Sequence, residues 1–421
     1  MAVKKIATAR WIALQILLKL EQERSNSGVL LQKSMSEVPN AKDRNLITDL
    51  VLGTLRWRGY LLFLIDSFSS KQKIDREISL ILQLGIYQLV FTEIARHAVI
   101  HETVNLCRKV KLSSATTFVN GILRKVQSRL ASLPEPQGDL SVRWSHPSWL
   151  VARWLQRFGE EEAISLMRIN NTPAPVYIRL TYDVDNVVDL LRNEGIEVEA
   201  TVFGPHLFRV RKGAPQQTRF FREGLFYMHD AGIEVLGSIL GVKRGMHVLE
   251  IAAAPGGKTF QIASRINDQG SIVSLDTSLS RMKLWEENIR RLKISSARPV
   301  VADARKLPFT GKFDLVVADA PCSSLGVIRR HPEVKWWKQP DDLMGHQRLQ
   351  LEILESCVRG VCRGGALVYS VCSFEPEETA QVKEKFLMQH PEFSIVEERY
   401  LYPHRDATDG FYIARLMKGS D

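Results

Sequence analysis

Cysteine is scarce: five residues in a chain of 421, an odd number, with no Cys-X-X-Cys pair among them. A disulfide-stapled secreted fold is thereby excluded, and a reducing cytoplasm is the expected compartment. No histidine spacing of the zinc-binding kind accompanies the thiols, so no metal is expected. Uninterrupted apolar runs of 18 or more residues are also missing, so no membrane-spanning helix is expected. Internal repeats are absent. A hydrophobic fraction of 45% with 25% charged residues excludes disordered and collagen-like chains. The N-terminal stretch MAVKKIATARWIALQILLKLEQ has a basic start and an apolar continuation. Gln15 and Lys19 interrupt it at helical spacing, and no small-residue cleavage site follows. It reads as a folded helix, not a signal peptide.

What is present is a chain long enough for two to four domains of roughly 100–200 residues each. Its formal charge of +10 is unevenly placed. Residues 1–135 hold 20 Lys and Arg against 11 Asp and Glu, whereas the remainder holds 37 against 36. A basic first third on a nearly neutral remainder suggests a polyanion-binding module joined to something else. That first third reads as a helical bundle. Ile12, Ile16, Leu17 and Leu20 share one helical face, as do Leu46, Leu50, Val51 and Leu55, and Ile78, Ile81, Leu82, Ile86 and Leu89. The stretch Pro134-Glu135-Pro136-Gln137-Gly138 reads as a linker. Residues 136–235 form a mixed α+β segment, with VYIRLTY (176–182) and HLFRVRK (206–212) as strands and Trp144, Trp149 and Trp154 as packing residues. From 236 to 421, apolar strands alternate with amphipathic helices: HVLEIA, SIVSLD, RPVVAD, FDLVVAD, GALVYS and a last strand FYIARLMK. This is the sequence form of repeated βαβ units on a parallel sheet.

HVLEIAAAPGGKT (247–259) is a buried strand, a small-residue turn and a helix start. Its end resembles a P-loop, but the first glycine of that motif falls at Ala252, and Pro255 removes an N–H from the loop that would cradle phosphate. A nucleoside-cofactor turn fits better. Asp276 closes the next strand, 20 residues after Gly256, where a carboxylate can take the ribose hydroxyls. Asp303 ends the third strand in VVADA, near an expected adenine, and Asp319 ends the fourth. Aspartates also cap strand-to-helix turns without any ligand, but three in succession behind a glycine turn describe an S-adenosylmethionine site. Dinucleotide enzymes share much of this pattern.

Cys322 in Asp-Ala-Pro-Cys-Ser and Cys372 in Ser-Val-Cys-Ser-Phe follow two strands at the ligand-bearing edge. Cys107, Cys357 and Cys362 sit within helical patterns and read as buried apolar residues. Two thiols beside a methyl donor have a chemical reason. Cytosine C5 is a poor nucleophile until a thiolate adds to C6, and a second thiol can assist the later release. Asp319 could pair with the cytosine edge and stabilise charge developing in the addition. Arg329, Arg330 and His331 with Lys335, Trp336 and Trp337 place basic and aromatic groups after Cys322, suited to a flipped nucleotide. An enzyme methylating an exocyclic nitrogen would need no thiol, and a non-catalytic RNA-binding or assembly factor would need neither cysteine.

These motifs resemble those of the Fmu/Sun type of bacterial 16S rRNA cytosine-C5 methyltransferases, within the wider Nol/Nop/Sun family. The resemblance rests on AAAPGGKT (252–259), DAPCSSLGVIRRHPEVKW (319–336), LVYSVCSFEPEE (367–378), RWSHPSWLVARW (143–154) and DGFYIARL (409–416). The first third is similar to a NusB RNA-binding domain, through DLVLGTLR (49–56), LGIYQLVF (84–91), HAVIHETVNL (97–106) and FVNGILRK (118–125). The resemblance implies an all-α NusB-like bundle (1–135), a linker and small α+β subdomain (136–235) and a Rossmann-like methyltransferase domain (236–421). It implies Cys372 as the nucleophile and Cys322 as the releasing thiol. Ala252, Ala253, Ala254, Pro255, Gly256, Gly257 and Lys258 would form the cofactor loop, with Asp276, Asp303 and Asp319 completing the cofactor and base site and Lys258 also facing the base. The implied cofactor is S-adenosylmethionine, and the implied partner is 16S rRNA, at position 967 by the family's convention. The chain is expected to act as a cytoplasmic monomer, with Arg10, Arg56, Arg58, Arg96, Arg108, Lys109, Lys111, Arg124 and Lys125 offering RNA contacts on the helical domain. Glu250, Ala252, Val371 and Thr379 stand where the family usually has Asp, Cys, Thr and Asn.

Overall fold

The structure is a computed structural model that describes residues 8–35, 38–70, 73–182 and 184–420. It divides into two compact units. One runs to Pro173 and includes Ile328–Lys338; the other comprises Ala174–Val327 with the chain from Gln339 onward.

The first unit is helical. Its main helices are α1 (Ala9–Glu23), α2 (Ser27–Met35), α3 (Ala41–Phe68), α4 (Arg76–Phe91), α5 (Arg96–Lys109) and α6 (Thr116–Ser128). Helix α1 buries Ile16, Leu17 and Leu20 along one face, so the N-terminal apolar stretch is a packed helix. Asn40 caps α3 by accepting a hydrogen bond from the Lys42 N–H at 2.9 Å. Helices α3 and α4 approach closely at Gly53, where an added Cβ would fall 2.0 Å from Cζ of Tyr87. The Tyr87 hydroxyl donates to Asp49 at 2.8 Å across the same contact. Ile47, Leu50, Leu64, Ile81, Leu84, Val119 and Leu123 form the common core. Among the described residues no helix is long and apolar enough to cross a membrane.

The second unit contains two sheets. A four-stranded antiparallel sheet is built from β1 (Val176–Leu180), β2 (Glu197–Thr201), β3 (Gly204–Lys212) and β4 (Phe226–His229), in the order β2-β3-β1-β4. The larger sheet uses β5 (His247–Ile251), β6 (Ser271–Asp276), β7 (Ala297–Val301), β8 (Phe313–Asp319), β9 (Val361–Val371), β10 (Phe393–Leu401) and β11 (Phe411–Lys418). Its order is β10-β11-β9-β8-β5-β6-β7. Strands β5 to β9 pair in parallel, as the βαβ pattern predicts. The sheet as a whole is mixed, because β11 pairs antiparallel with both β9 and β10. The link between β10 and β11 carries no helix, so those two strands form a hairpin and not a crossover.

Alternation along the strands splits the core between the two faces. Leu249, Ile251, Val316, Leu367 and Tyr369 pack on one side with Ile353 and Leu354 of the helix Pro340–Val358. Val248, Ile272, Leu315, Val317 and Val368 pack on the other with Ile262 of Gly257–Arg265 and Trp285 of Leu279–Arg291. The chain runs outward through β5, β6 and β7, then returns to β8 on the opposite side of β5. That reversal opens a crevice at the carboxyl ends of β5 and β8, where open α/β sheets bind ligands.

Candidate active site

The turn after β5 lies at this crevice. Ala252 has φ 54°, the Ala254–Pro255 peptide is cis, and Gly256 has φ 112°, a left-handed conformation that glycine adopts without strain. The following helix begins at Gly257 with its N–H groups toward the turn. Side chains from neighbouring elements fasten the loop. The Ala254 N–H donates to Asp276 at 3.3 Å, Arg281 donates to the Ala254 carbonyl at 2.5 Å, and Asn288 donates to the Pro255 carbonyl at 3.0 Å. Lys258 turns back to donate to the Ala252 carbonyl at 3.2 Å and to Asp319 at 2.8 Å, bridging the ends of β5 and β8. Burial disfavours the charged lysine, but Asp319 and Glu250 outweigh it and lift its pKa above the ordinary value.

Glu250 lies behind the loop and is fully buried. It accepts from Thr259 at 2.6 Å and Ser274 at 2.9 Å, and Trp285 donates to the same Thr259 hydroxyl at 2.8 Å. Its other oxygen has no hydrogen-bond partner among the described residues. Burial pushes its carboxyl up to about 7, against the opposing pull of Lys258.

A cavity of about 350 Å³ opens beside the loop, lined by Ala252, Leu275, Asp276, Asp303, Pro321 and Ile353 among others. Asp276 is buried and also accepts from the Ser278 N–H at 3.0 Å. Asp303 lines the cavity too, but Arg305 grips its carboxylate, at 2.7 Å from Nη2, and holds its pKa below the usual range.

At the ends of the neighbouring parallel strands β8 and β9, the Cys322 and Cys372 sulfurs lie 3.2 Å apart. Both residues are half-buried and neither is in a disulfide. A hydrogen bond with the Cys372 thiol, and then burial, hold the Cys322 thiol well above its ordinary value. Asp319, the last residue of β8, accepts from Ser370 at 2.9 Å on the oxygen not taken by Lys258. A glycine turn, an acidic cavity and two facing thiols thus share one sheet edge.

Residues 238–417 match the family model described as 16S rRNA methyltransferase RsmB/F. Residues 7–128 match the NusB family, and 146–217 match the ferredoxin-like domain of RsmF/B-like methyltransferases. A probable ribosomal RNA small subunit methyltransferase B of Bacillus subtilis (strain 168) is 34% identical, over 98% of this chain and 99% of that protein. The chain belongs to the RsmB/F family. It is accordingly an S-adenosylmethionine-dependent RNA (cytosine-C5) methyltransferase with an N-terminal NusB domain. A ribosomal RNA small subunit methyltransferase B of Yersinia enterocolitica is 32% identical over 95% of the chain. Among solved structures, PH0851 superposes with a TM-score of 0.84 at 26% identity over 99% of this chain and all of that one. A methyltransferase homolog protein from Pyrococcus horikoshii gives 0.60 at 26% identity, over 66% and 97%.

The residues of this RsmB/F member fit its cofactor. The cavity falls within the range of roughly 300–1,000 Å³ usual for small-molecule sites. Its wall joins apolar Leu275, Pro321 and Ile353, with Asp303 beside them, suited to an adenine, to the carboxylate of Asp276, suited to ribose hydroxyls.

Three expectations need correction. Lys335 does not offer a phosphate contact. It is fully buried in the helical unit, donating to the Arg56 carbonyl at 2.9 Å and to Asn171 at 3.2 Å. Trp336 donates to the Leu55 carbonyl at 2.7 Å, and Trp337 packs against the helical core, so this segment is structural cement there. Arg56 is likewise buried and donates to the Arg329 carbonyl at 3.2 Å, which removes it from the RNA-facing set. Cys362 lies in β9, not in a helix. Sequence reasoning also passed over Arg281 and Arg305, whose roles follow only from reach across the loop. It passed over Glu378 as well, although that residue ends the motif LVYSVCSFEPEE.

Proposed function

We propose that this chain methylates C5 of a single cytosine of small-subunit rRNA, position 967 in 16S numbering. In this reading Cys372 is the nucleophile and Cys322 the releasing thiol. The observation that carries it is the 3.2 Å approach of the two sulfurs, one of them directly after Pro321 of the cavity wall. A single-stranded or flipped cytosine enters between the loops. The Cys372 thiolate forms a bond to C6, and the ring becomes an enamine nucleophilic at C5. S-adenosylmethionine supplies the electrophilic methyl group. Asp319, oriented by Lys258 and Ser370, pairs with the cytosine amino or N3 edge and stabilises the charge developing in the addition. After C5 has taken the methyl group, the Cys322 sulfur, in its deprotonated form, takes the C5 proton; that C–H electron pair re-forms the C5–C6 double bond as the Cys372–C6 bond breaks and Cys372 leaves as thiolate. The basic helical unit contacts rRNA phosphates, so binding weakens with salt. The reaction takes place in the cytoplasm, with the chain acting as a monomer.

The test incubates the protein with labelled cofactor and unmethylated small-subunit rRNA, followed by bisulfite sequencing. Absence of 5-methylcytosine at every position defeats the reading, and a product elsewhere than 967 corrects the substrate. Cys372→Ala is expected to abolish turnover. Cys322→Ala is expected to accumulate a covalent RNA–protein adduct, seen as a shifted band on a denaturing gel. An adduct formed by Cys372→Ala instead would reverse the two roles.

A further inference from the structure

Glu378 is fully buried in the interior beneath the two cysteine loops, at the end of the short turn Pro376–Glu378. One carboxylate oxygen accepts from the Ser323 N–H at 2.6 Å. The other accepts from the Ser323 hydroxyl at 2.5 Å and the Ser373 hydroxyl at 2.6 Å. Ser323 follows Cys322 and Ser373 follows Cys372, so one carboxylate holds the residue next to each thiol. Gln350 completes the arrangement, donating to the carbonyl of Pro321, which precedes Cys322, at 3.0 Å. The backbone of Glu378 is itself fixed, because the Tyr369 hydroxyl donates to its carbonyl at 2.6 Å.

A buried carboxylate is costly unless strong donors satisfy it, and an apolar residue would fill the same volume without that cost. Here the donors that satisfy it come from the thiol loops. Burial raises its carboxyl pKa, while the Ser323 and Ser373 hydrogen bonds oppose that rise. Charge-assisted bonds of this kind are short and directional, which suits fixing a distance better than apolar packing does.

We propose that Glu378 is a positioning residue that clamps the Cys322 and Cys372 loops, through Ser323 and Ser373, at the separation the two-thiol reaction requires. The inference rests on the thiol roles given under Proposed function. Addition needs one sulfur placed at C6; release needs the second sulfur on the same base at the same time. Loosening the clamp therefore penalises release most, since that step alone uses both loops.

The experiment compares Glu378→Ala, Glu378→Gln and Ser373→Ala with the wild type. The readouts are turnover on unmethylated small-subunit rRNA, cofactor affinity by calorimetry, and covalent adduct on denaturing gels. Because a misplacement of about 1 Å can cost roughly 100-fold in rate, Glu378→Ala should lose about that much turnover with cofactor affinity unchanged, and should accumulate adduct. Glu378→Gln retains the shape, and the serine hydroxyls can rotate to accept from its amide. It should recover at least about tenfold of the loss. Ser373→Ala removes the Cys372-side bond to Glu378, together with the hydroxyl's acceptance from the Glu375 N–H at 3.2 Å and its contact with the Ser323 hydroxyl at 3.4 Å, and leaves both Ser323 bonds to Glu378 in place. It should fall between wild type and Glu378→Ala and also show adduct, which keeps the test decisive if Glu378→Ala fails to fold. Wild-type turnover in all three variants overturns the clamp, as does loss of cofactor binding in parallel with turnover and without adduct. A wild-type protein that makes no 5-methylcytosine defeats the underlying function reading instead, and is recognised as such in the same assay.

Discussion

Glu250→Gln tests the electrostatics behind the cofactor loop. The unfolded carboxyl ionises near 4.5, whereas the folded one ionises at about 7, because burial disfavours its charge. Between those values the folded chain holds more protons than the unfolded chain, so stability falls as pH rises. Below about 4.5 the group costs nothing, and above about 7 the loss is complete. Moving an ionisation midpoint by one pH unit changes the free energy by about 1.4 kcal/mol, so the whole change is about 3 kcal/mol. The neutral glutamine has no such dependence. Hydrogen exchange of the β5 segment, corrected for intrinsic rates, reports the opening free energy of that strand. In the wild type this should fall by about 2.5 kcal/mol between pH 5 and pH 8, and the wild-type-minus-variant difference should show the same slope. An identical pH profile in Glu250→Gln would refute the reasoning, since the slope would then belong to other groups.

Two further outcomes follow from contacts in each unit. Lys258→Met leaves the Asp319 carboxylate with Ser370 as its remaining side-chain partner among the described residues and removes the Lys258 bond to the Ala252 carbonyl. Urea unfolding of the α/β unit should shift by roughly 1–3 kcal/mol, with Asp319→Asn in the same background restoring part of it. Gly53→Ala drives a methyl group to 2.0 Å from the Tyr87 ring. It should destabilise the helical unit by roughly 1–3 kcal/mol in thermal unfolding, while Tyr87→Leu added to it relieves the clash.

Much of the fold was readable because the relevant signals are local. Helical spacing in residues 9–128 marks a buried stripe on each helix, and Ile47, Leu50 and Ile81 indeed lie in one core. Apolar strands followed by small-residue turns marked β5, β6 and β8 and placed Asp276 and Asp319 at their ends. The antiparallel hairpin of β10 and β11 was not legible, because pairing direction depends on connections and not on strand composition. The segment Ile328–Lys338 misled for a related reason. Its basic and aromatic residues look ligand-ready in isolation, but Lys335 and Trp336 find carbonyl acceptors in the helical unit.

By itself the sequence determined the helical first third, the class of sheet, the turn at 252–258 and the identity of two cysteines set in polar loops. Those features depend on residue type and spacing within a single segment. Only the tertiary structure decided that the sulfurs stand 3.2 Å apart, that Lys258 spans β5 and β8, and that Glu378 holds both thiol loops. Each joins residues from different segments, Cys322 with Cys372 and Ser323 with Glu378 among them. A hydrogen bond needs its atoms within about 3 Å, and only the folded sheet brings those segments that close.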